Sequence, residues 1–115
     1  MASDCLFCRI LDGEIPSDTV FENERVYAFR DISPQAPSHI LVIPRKHIAS
    51  LNELGEEDTA LMGELISAGA HVARQEGLEG KGYRSVINTG EHGGQSVHHI
   101  HLHILGGRPL DWPPG

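Results

Sequence analysis

His99-Ile100-His101-Leu102-His103-Ile104-Leu105 alternates imidazole and aliphatic side chains without interruption. On a strand, residues two apart point to the same side. Three imidazoles therefore share one face, about 6–7 Å apart, while Ile100, Leu102 and Ile104 fill the opposite, core-directed face. A solvated face is served as well by Thr, Lys or Glu, so the choice of histidine predicts chemistry. Of the eight histidines in 115 residues, four fall between His98 and His103. Two chemistries fit the trio. Alternate histidines can ligate zinc and leave one position open for catalysis. Alternatively, one imidazole attacks phosphorus while its neighbours bind phosphoryl oxygens and move protons.

The segment just upstream favours the phosphoryl reading. Asn88-Thr89-Gly90-Glu91-His92-Gly93-Gly94-Gln95-Ser96-Val97 is a glycine-bearing loop running into the histidine strand. Glycines permit close backbone approach, so that N–H groups can cradle a phosphate. Asn88 and Ser96 add candidate polar contacts.

Further out, Val26-Tyr27-Ala28-Phe29 reads as a strand followed by a turn cluster at Asp31-Ile32-Ser33-Pro34-Gln35-Ala36-Pro37. His39-Ile40-Leu41-Val42-Ile43 reads as a second strand, stopped by Pro44. A short helix or turn is expected between His47 and Leu54. A long helix is expected from about Glu57 to Glu76. Leu61, Leu65, Ala68 and Val72 recur on one of its faces, and Met62, Ile66, Gly69 and Ala73 on the adjoining one. Gly77 suits the left-handed stop after it. Arg84 to Asn88 and His99 to Leu105 complete the expected strands. No βαβ rhythm is present, so the pattern predicts an α+β fold: an antiparallel sheet with the helix packed on one face. The tail Asp111-Trp112-Pro113-Pro114-Gly115 carries the chain's one Trp and is expected to dock.

Composition narrows the classes. Nine basic and 16 acidic residues give a net charge of −7, which argues against a general nucleic-acid binder. The apolar fraction of 39% and charged fraction of 22% are those of a globular chain. Its length fits one domain spanning 1–115. No apolar run approaches the ~20 residues of a membrane helix. The start lacks a basic segment followed by an apolar stretch, so a cytoplasmic location is expected.

These motifs together resemble the histidine triad superfamily. His99-x-His101-x-His103 is the signature. Asp31 to His39, Leu41-Val42-Ile43-Pro44, Gly93 to Val97 and Trp112-Pro113-Pro114-Gly115 are similar to the histidine triad nucleotide-binding (Hint) branch. Gly106-Gly107 stands where the dinucleoside-polyphosphate hydrolase branch tends to place Pro. The resemblance implies a sheet of about five strands with one long and one short helix, joined to a second sheet across a homodimer. It implies a purine nucleoside phosphoramidase, needing no cofactor for catalysis, that cleaves the P–N bond of adenosine or guanosine 5′-monophosphoramidates. His101 would be the nucleophile, its other ring nitrogen held by a neighbouring backbone carbonyl. His103 and Ser96 would contact phosphoryl oxygen and protonate the amine, with His39 as a hydrogen-bond partner of the catalytic imidazole. Phe7, Ile10, Phe29 and Ile32 would enclose the purine, Asp31 would accept from the ribose hydroxyls, and Asn88, Gly94, Gln95 and Ser96 would surround the α-phosphate. Two alternatives stand beside these assignments: plain core packing for the apolar four, and turn capping at Ser33 or Pro34 for Asp31.

Cys5-Leu6-Phe7-Cys8 is a Cys-x-x-Cys, which in a reducing compartment reads as metal or redox chemistry. The resemblance to some bacterial triad proteins implies a structural zinc on Cys5, Cys8, His47 and His99. His98 should point to the other face, and His71 and His92 read as surface or packing residues. Two other function classes remain open at this level. One is a metal hydrolase with zinc on the trio itself. The other is a non-catalytic purine-nucleotide-binding regulatory or scaffold protein.

Overall fold

The computed structural model describes residues 4–115. Five strands form one antiparallel sheet: β1 (Thr19–Glu22), β2 (Val26–Arg30), β3 (Ser38–Pro44), β4 (Arg84–Ile87) and β5 (Leu102–Gly106). Their order is β1-β2-β3-β5-β4, with β3 central. Two helices flank the sheet, α1 (Leu6–Leu11) and α2 (Thr59–Gln75). The α+β architecture expected from the pattern is the one observed.

Register decides which side chains share a face. Ala28 lies opposite Val42, which lies opposite Leu102, which lies opposite Ile87. One residue along, the row is Phe29, Leu41, His103 and Val86. Successive side chains on a strand face opposite ways, so the first row meets α2 and the second meets α1. Under α2 the core gathers Val26, Ala28, Ile40, Val42, Leu102 and Ile104 against Leu61, Leu65 and Val72. Gly69 lets the helix sit close: a Cβ there would come within 2.8 Å of Leu102 Cδ2. A smaller apolar cluster under α1 holds Phe7, Ile10, Tyr27, Phe29, Leu41 and Ile43.

The short helix or turn expected between His47 and Leu54 is a 3₁₀ turn at Leu51–Glu53, and the short α-helix of the fold is α1. Its six residues give periodicity too little length to register. β1 carries no clear alternation, so the pattern alone does not mark it, and it completes the five strands that the resemblance implies. Ile66 is exposed, so the adjoining helix face is only partly buried, through Gly69 and Ala73. Finally, β5 begins at Leu102 and not at His99. The backbone turns sharply before it, where His99 N–H donates to Val97 O at 2.9 Å and Ile100 N–H donates to Ile48 O at 2.8 Å. The in-out alternation nevertheless survives, because Ile100, Leu102 and Ile104 all pack in the α2 core.

Among the described residues, no helix is long and apolar enough to cross a membrane.

Candidate active site

The trio occupies the α1 side, and each of its rings is oriented by a hydrogen bond. His101 is buried, and its Nδ1 lies 2.8 Å from the backbone carbonyl of His99. A carbonyl can only accept, so the His101 proton sits on Nδ1 and the lone pair on Nε2. The expected carbonyl contact is thus present. His39 faces the site from β3. Its Nδ1 accepts from the Gln35 N–H at 3.0 Å, so its proton sits on Nε2. That nitrogen lies 2.9 Å from His103 Nδ1 and 3.4 Å from Asp31 Oδ2. His103 therefore accepts at Nδ1 and carries its proton on Nε2. The resemblance implies His39 as a hydrogen-bond partner of the catalytic imidazole His101; the hydrogen bond that His39 makes is to His103.

The neighbouring imidazoles thus have opposite tautomers. His101 keeps a lone pair on Nε2 and His103 a proton on Nε2, with ring centroids 4.9 Å apart. Burial pushes both below the ordinary histidine range, His103 to about 4 with help from the neighbouring imidazoles. His39 is lowered by burial too, against the pull of Asp31. All three are neutral near pH 7, as a nucleophile requires.

A pocket of about 240 Å³ opens beside them. His101, His103, Ser96 and Asp31 supply its polar wall, while Phe7, Ile10 and Phe29 supply its apolar walls. Phe7 stands edge-on to His101 at 5.1 Å and to Phe29 at 5.7 Å. Ile32 is 97% exposed and reaches the pocket only at its rim. Asp31 serves two ends at once: Oδ1 caps the turn by accepting from Ser33 N–H at 2.8 Å, and the residue also lines the pocket. Leu41, Val97, Ile15 and Ser17 line it as well and were not singled out from sequence. Only the register opposite His103 marks Leu41 for this face.

Asn88, Gly94 and Gln95 were expected around a phosphate, yet they do not line the pocket. The Gln95 side chain is spent on the loop itself: its Nε2 donates to Ala49 O at 2.7 Å and to Val97 O at 3.0 Å, and its Oε1 accepts from Gly90 N–H. Asn88 Nδ2 donates to Gly93 O at 2.6 Å. Gly93 is required by packing, since a Cβ would lie 2.3 Å from Thr89 O. These residues build the loop that delivers Ser96 and Val97 to the pocket.

The first histidine of the trio belongs to a different constellation. His99 is fully buried, and its Nε2–H donates to Pro44 O at 2.8 Å. Its Nδ1 is thereby left to accept, 3.3 Å from Cys5 Sγ, 3.7 Å from Cys8 Sγ and 3.2 Å from His47 Nδ1. Cys8 Sγ lies 3.3 Å from His47 Nδ1. All four donor atoms fall within 4.8 Å of one another. A tetrahedral ion with two sulfur and two nitrogen ligands has S–N edges of about 3.6 Å and N–N edges of about 3.3 Å, from bonds of about 2.3 and 2.0–2.1 Å. The donor set matches that geometry, and the carbonyl on the far ring nitrogen is the usual second contact of a ligating imidazole. Zinc on the trio itself finds no support, because the His99 donor atom belongs to the cysteine cluster and His101 Nδ1 is committed to a carbonyl.

Comparison with known proteins agrees with this geometry. A family profile described as the HIT domain matches residues 12–110. A purine nucleoside phosphoramidase of Escherichia coli is 51% identical over 110 residues, covering 96% of this chain and 92% of that protein. An uncharacterized HIT-like protein of Synechococcus elongatus is 54% identical over the full length of both chains. The crystal structure of a HIT family hydrolase from Legionella pneumophila superposes with a TM-score of 0.95 at 52% identity, covering 97% of this chain and all of that one. With a profile spanning most of its length and relatives above half identity, the chain belongs to the HIT family.

Proposed function

We propose that this protein is a purine nucleoside phosphoramidase working through a nucleotidyl-histidine intermediate. One observation carries the reading: a buried imidazole, His101, and its half-buried neighbour His103, held in opposite tautomers at the polar wall of an apolar pocket. The phosphoramidase relative, at 51% identity, supports the same reaction.

The purine lies among Phe7, Ile10 and Phe29, with Ile32 at the rim, and the ribose hydroxyls donate to Asp31. A carboxylate suits a diol because it offers acceptors and no competing donor. His101 Nε2 attacks phosphorus and the P–N bond breaks. His103 gives its Nε2 proton to the departing amine, because an amide anion is a very poor leaving group. The negative charge this leaves on the His39–His103 pair is balanced by the positive charge of the nucleotidyl-imidazolium on His101, which keeps its Nδ1 proton. Ser96 contacts a phosphoryl oxygen. His39 holds His103 in its donor tautomer. Water then attacks phosphorus, and His103 recovers a proton from it. Nucleoside monophosphate leaves, and His101 is regenerated. Splitting the displacement replaces one hard step by two easier ones.

Cys5, Cys8, His47 and His99 would hold a structural zinc, which supplies a rigid cross-link between the N-terminal turn and the trio and no open coordination position. A dithiol ligand set suits a reducing compartment, so a cytoplasmic location accompanies this reading. A homodimer joined through sheets completes it. The edges of this sheet are β1 and β4, and an exposed edge can pair with another strand.

Mass spectrometry of protein acid-quenched during turnover of adenosine 5′-phosphoramidate tests the proposal. An adenylyl adduct is expected on the peptide carrying His101, and it should vanish in His101→Ala. Turnover without an adduct on that peptide would overturn the mechanism. Nucleotide binding with no turnover would leave the regulatory protein as the better reading.

A further inference from the structure

The metal cluster and the nucleotide pocket share two boundaries. On one side, Cys5 and Cys8 bracket Phe7 within a single turn: Cys5 caps α1, its Sγ accepting from Cys8 N–H at 3.4 Å. Phe7 is buried and stands edge-on to Phe29, His101 and His99 alike. On the other side, His99 offers Nδ1 to the sulfurs while its carbonyl orients His101. α1 has only six residues, too few to hold a helix in isolation. Its buried anchors are Phe7 and Ile10, and both line the pocket. The pocket wall thus depends on whatever pins the ends of that turn to the sheet.

We infer that Cys5-Leu6-Phe7-Cys8 is a metal-set clamp, in which ligation by Cys5, Cys8, His47 and His99 positions Phe7 as the purine wall. Metal binding and nucleotide binding are then coupled, although none of the four metal-ligating residues lines the pocket. The inference rests on the pocket being a purine-nucleotide site. Coupling between two binding sites is reciprocal. A nucleotide that stacks against Phe7 must hold the turn closed and so retain the metal.

Zinc-loaded full-length protein is mixed with excess chromophoric chelator, with and without saturating AMP, and zinc release is followed by absorbance. Calorimetry of the loaded protein establishes saturation. The clamp must open before the metal leaves, so a coupling of about tenfold between the two binding equilibria makes AMP slow release about tenfold. Phe7→Ala should still load zinc and bind AMP more weakly, yet at saturating AMP it should release zinc at its unliganded rate. Asp31→Ala should also bind AMP weakly but keep the full slowing at saturation. Equal release with and without AMP in the unaltered protein overturns the clamp. So does slowing that survives in Phe7→Ala, since AMP then stabilises the fold without using that wall. A loaded protein that binds no AMP overturns the nucleotide reading and the clamp with it, whereas a chain that binds AMP but no zinc overturns the clamp alone.

Discussion

The two faces of the sheet are made by the same strands and do different work. Under α2, Val26, Ala28, Ile40 and Val42 are wholly excluded from solvent, and Leu102 and Ile104 nearly so. Under α1, the rows run from Tyr27, Phe29, Leu41 and Ile43 into His39, His101 and His103. Every imbedded imidazole there has a partner chosen by backbone geometry. A 17-residue helix closes the first face and a six-residue helix the second. Strand alternation lets one segment, Leu102 to Leu105, feed both. Stability is concentrated on one side of the backbone, and chemistry is left a surface that tolerates polar groups because it is only partly closed.

If that division is right, substitutions on the two faces should fail in different ways. The largest effect belongs to His101→Ala. kcat should fall by about 10⁴-fold or more, since without the nucleophile only binding and positioning remain. The cost in stability should be only ~1 kcal/mol. Single-turnover kinetics beside urea unfolding checks both halves. Leu65→Ala, on the α2 side, should do the reverse: a fully buried leucine leaves a cavity costing ~3 kcal/mol, while kcat of the folded protein is unchanged. A loss of kcat there would show that the faces are mechanically coupled. Asp31→Ala comes next, raising the nucleotide KM by about 30-fold, as loss of charge-assisted hydrogen bonds worth ~2 kcal/mol would do, with kcat nearly retained. Asp31→Asn keeps the Oδ1 that caps Ser33 but removes an acceptor. It should restore stability without restoring KM, and recovery of both would make Asp31 a turn residue only.

The α2 face was the more legible in sequence. Its periodicity is long, and a helix of Leu61, Leu65, Ala68 and Val72 admits one docking surface. The trio was legible as well, because His-x-His-x-His is meaningful at any register. What sequence could not reveal were contacts set by loop geometry. The resemblance implies Gln95 beside the α-phosphate, and its side-chain hydrogen bonds to Ala49, Val97 and Gly90 come from the loop's path. The resemblance also ties His39 to the catalytic imidazole, and the hydrogen bond that the antiparallel register of β3 and β5 gives it is to His103. α1 was invisible because six residues are less than two turns, and its order comes from Phe7 and Ile10 packing on the sheet.

Acid should separate the faces more finely. Burial lowers His39 and His103, the latter to about 4. The unfolded chain therefore binds the extra protons as pH falls from about 6.5, and stability contributed by these neutral imidazoles is lost down to about pH 4. Glu76, at the end of α2, works in a different window. Hydrogen bonds from both Arg30 guanidinium nitrogens, at 2.8 and 2.9 Å, hold its carboxyl below the usual range. Its contribution is complete above the unfolded value of about 4.3 and disappears as pH falls through the lower folded one. Arg30 is 43% exposed, so solvent screening limits the pair to ~0.5 kcal/mol. The stability difference between the unaltered protein and Glu76→Gln, measured by urea unfolding, should stay constant from pH 7 to pH 5 and then close toward pH 3. A difference that shrinks between pH 7 and pH 5 would tie Glu76 to the histidine face, and the two windows would then report a single coupled unit.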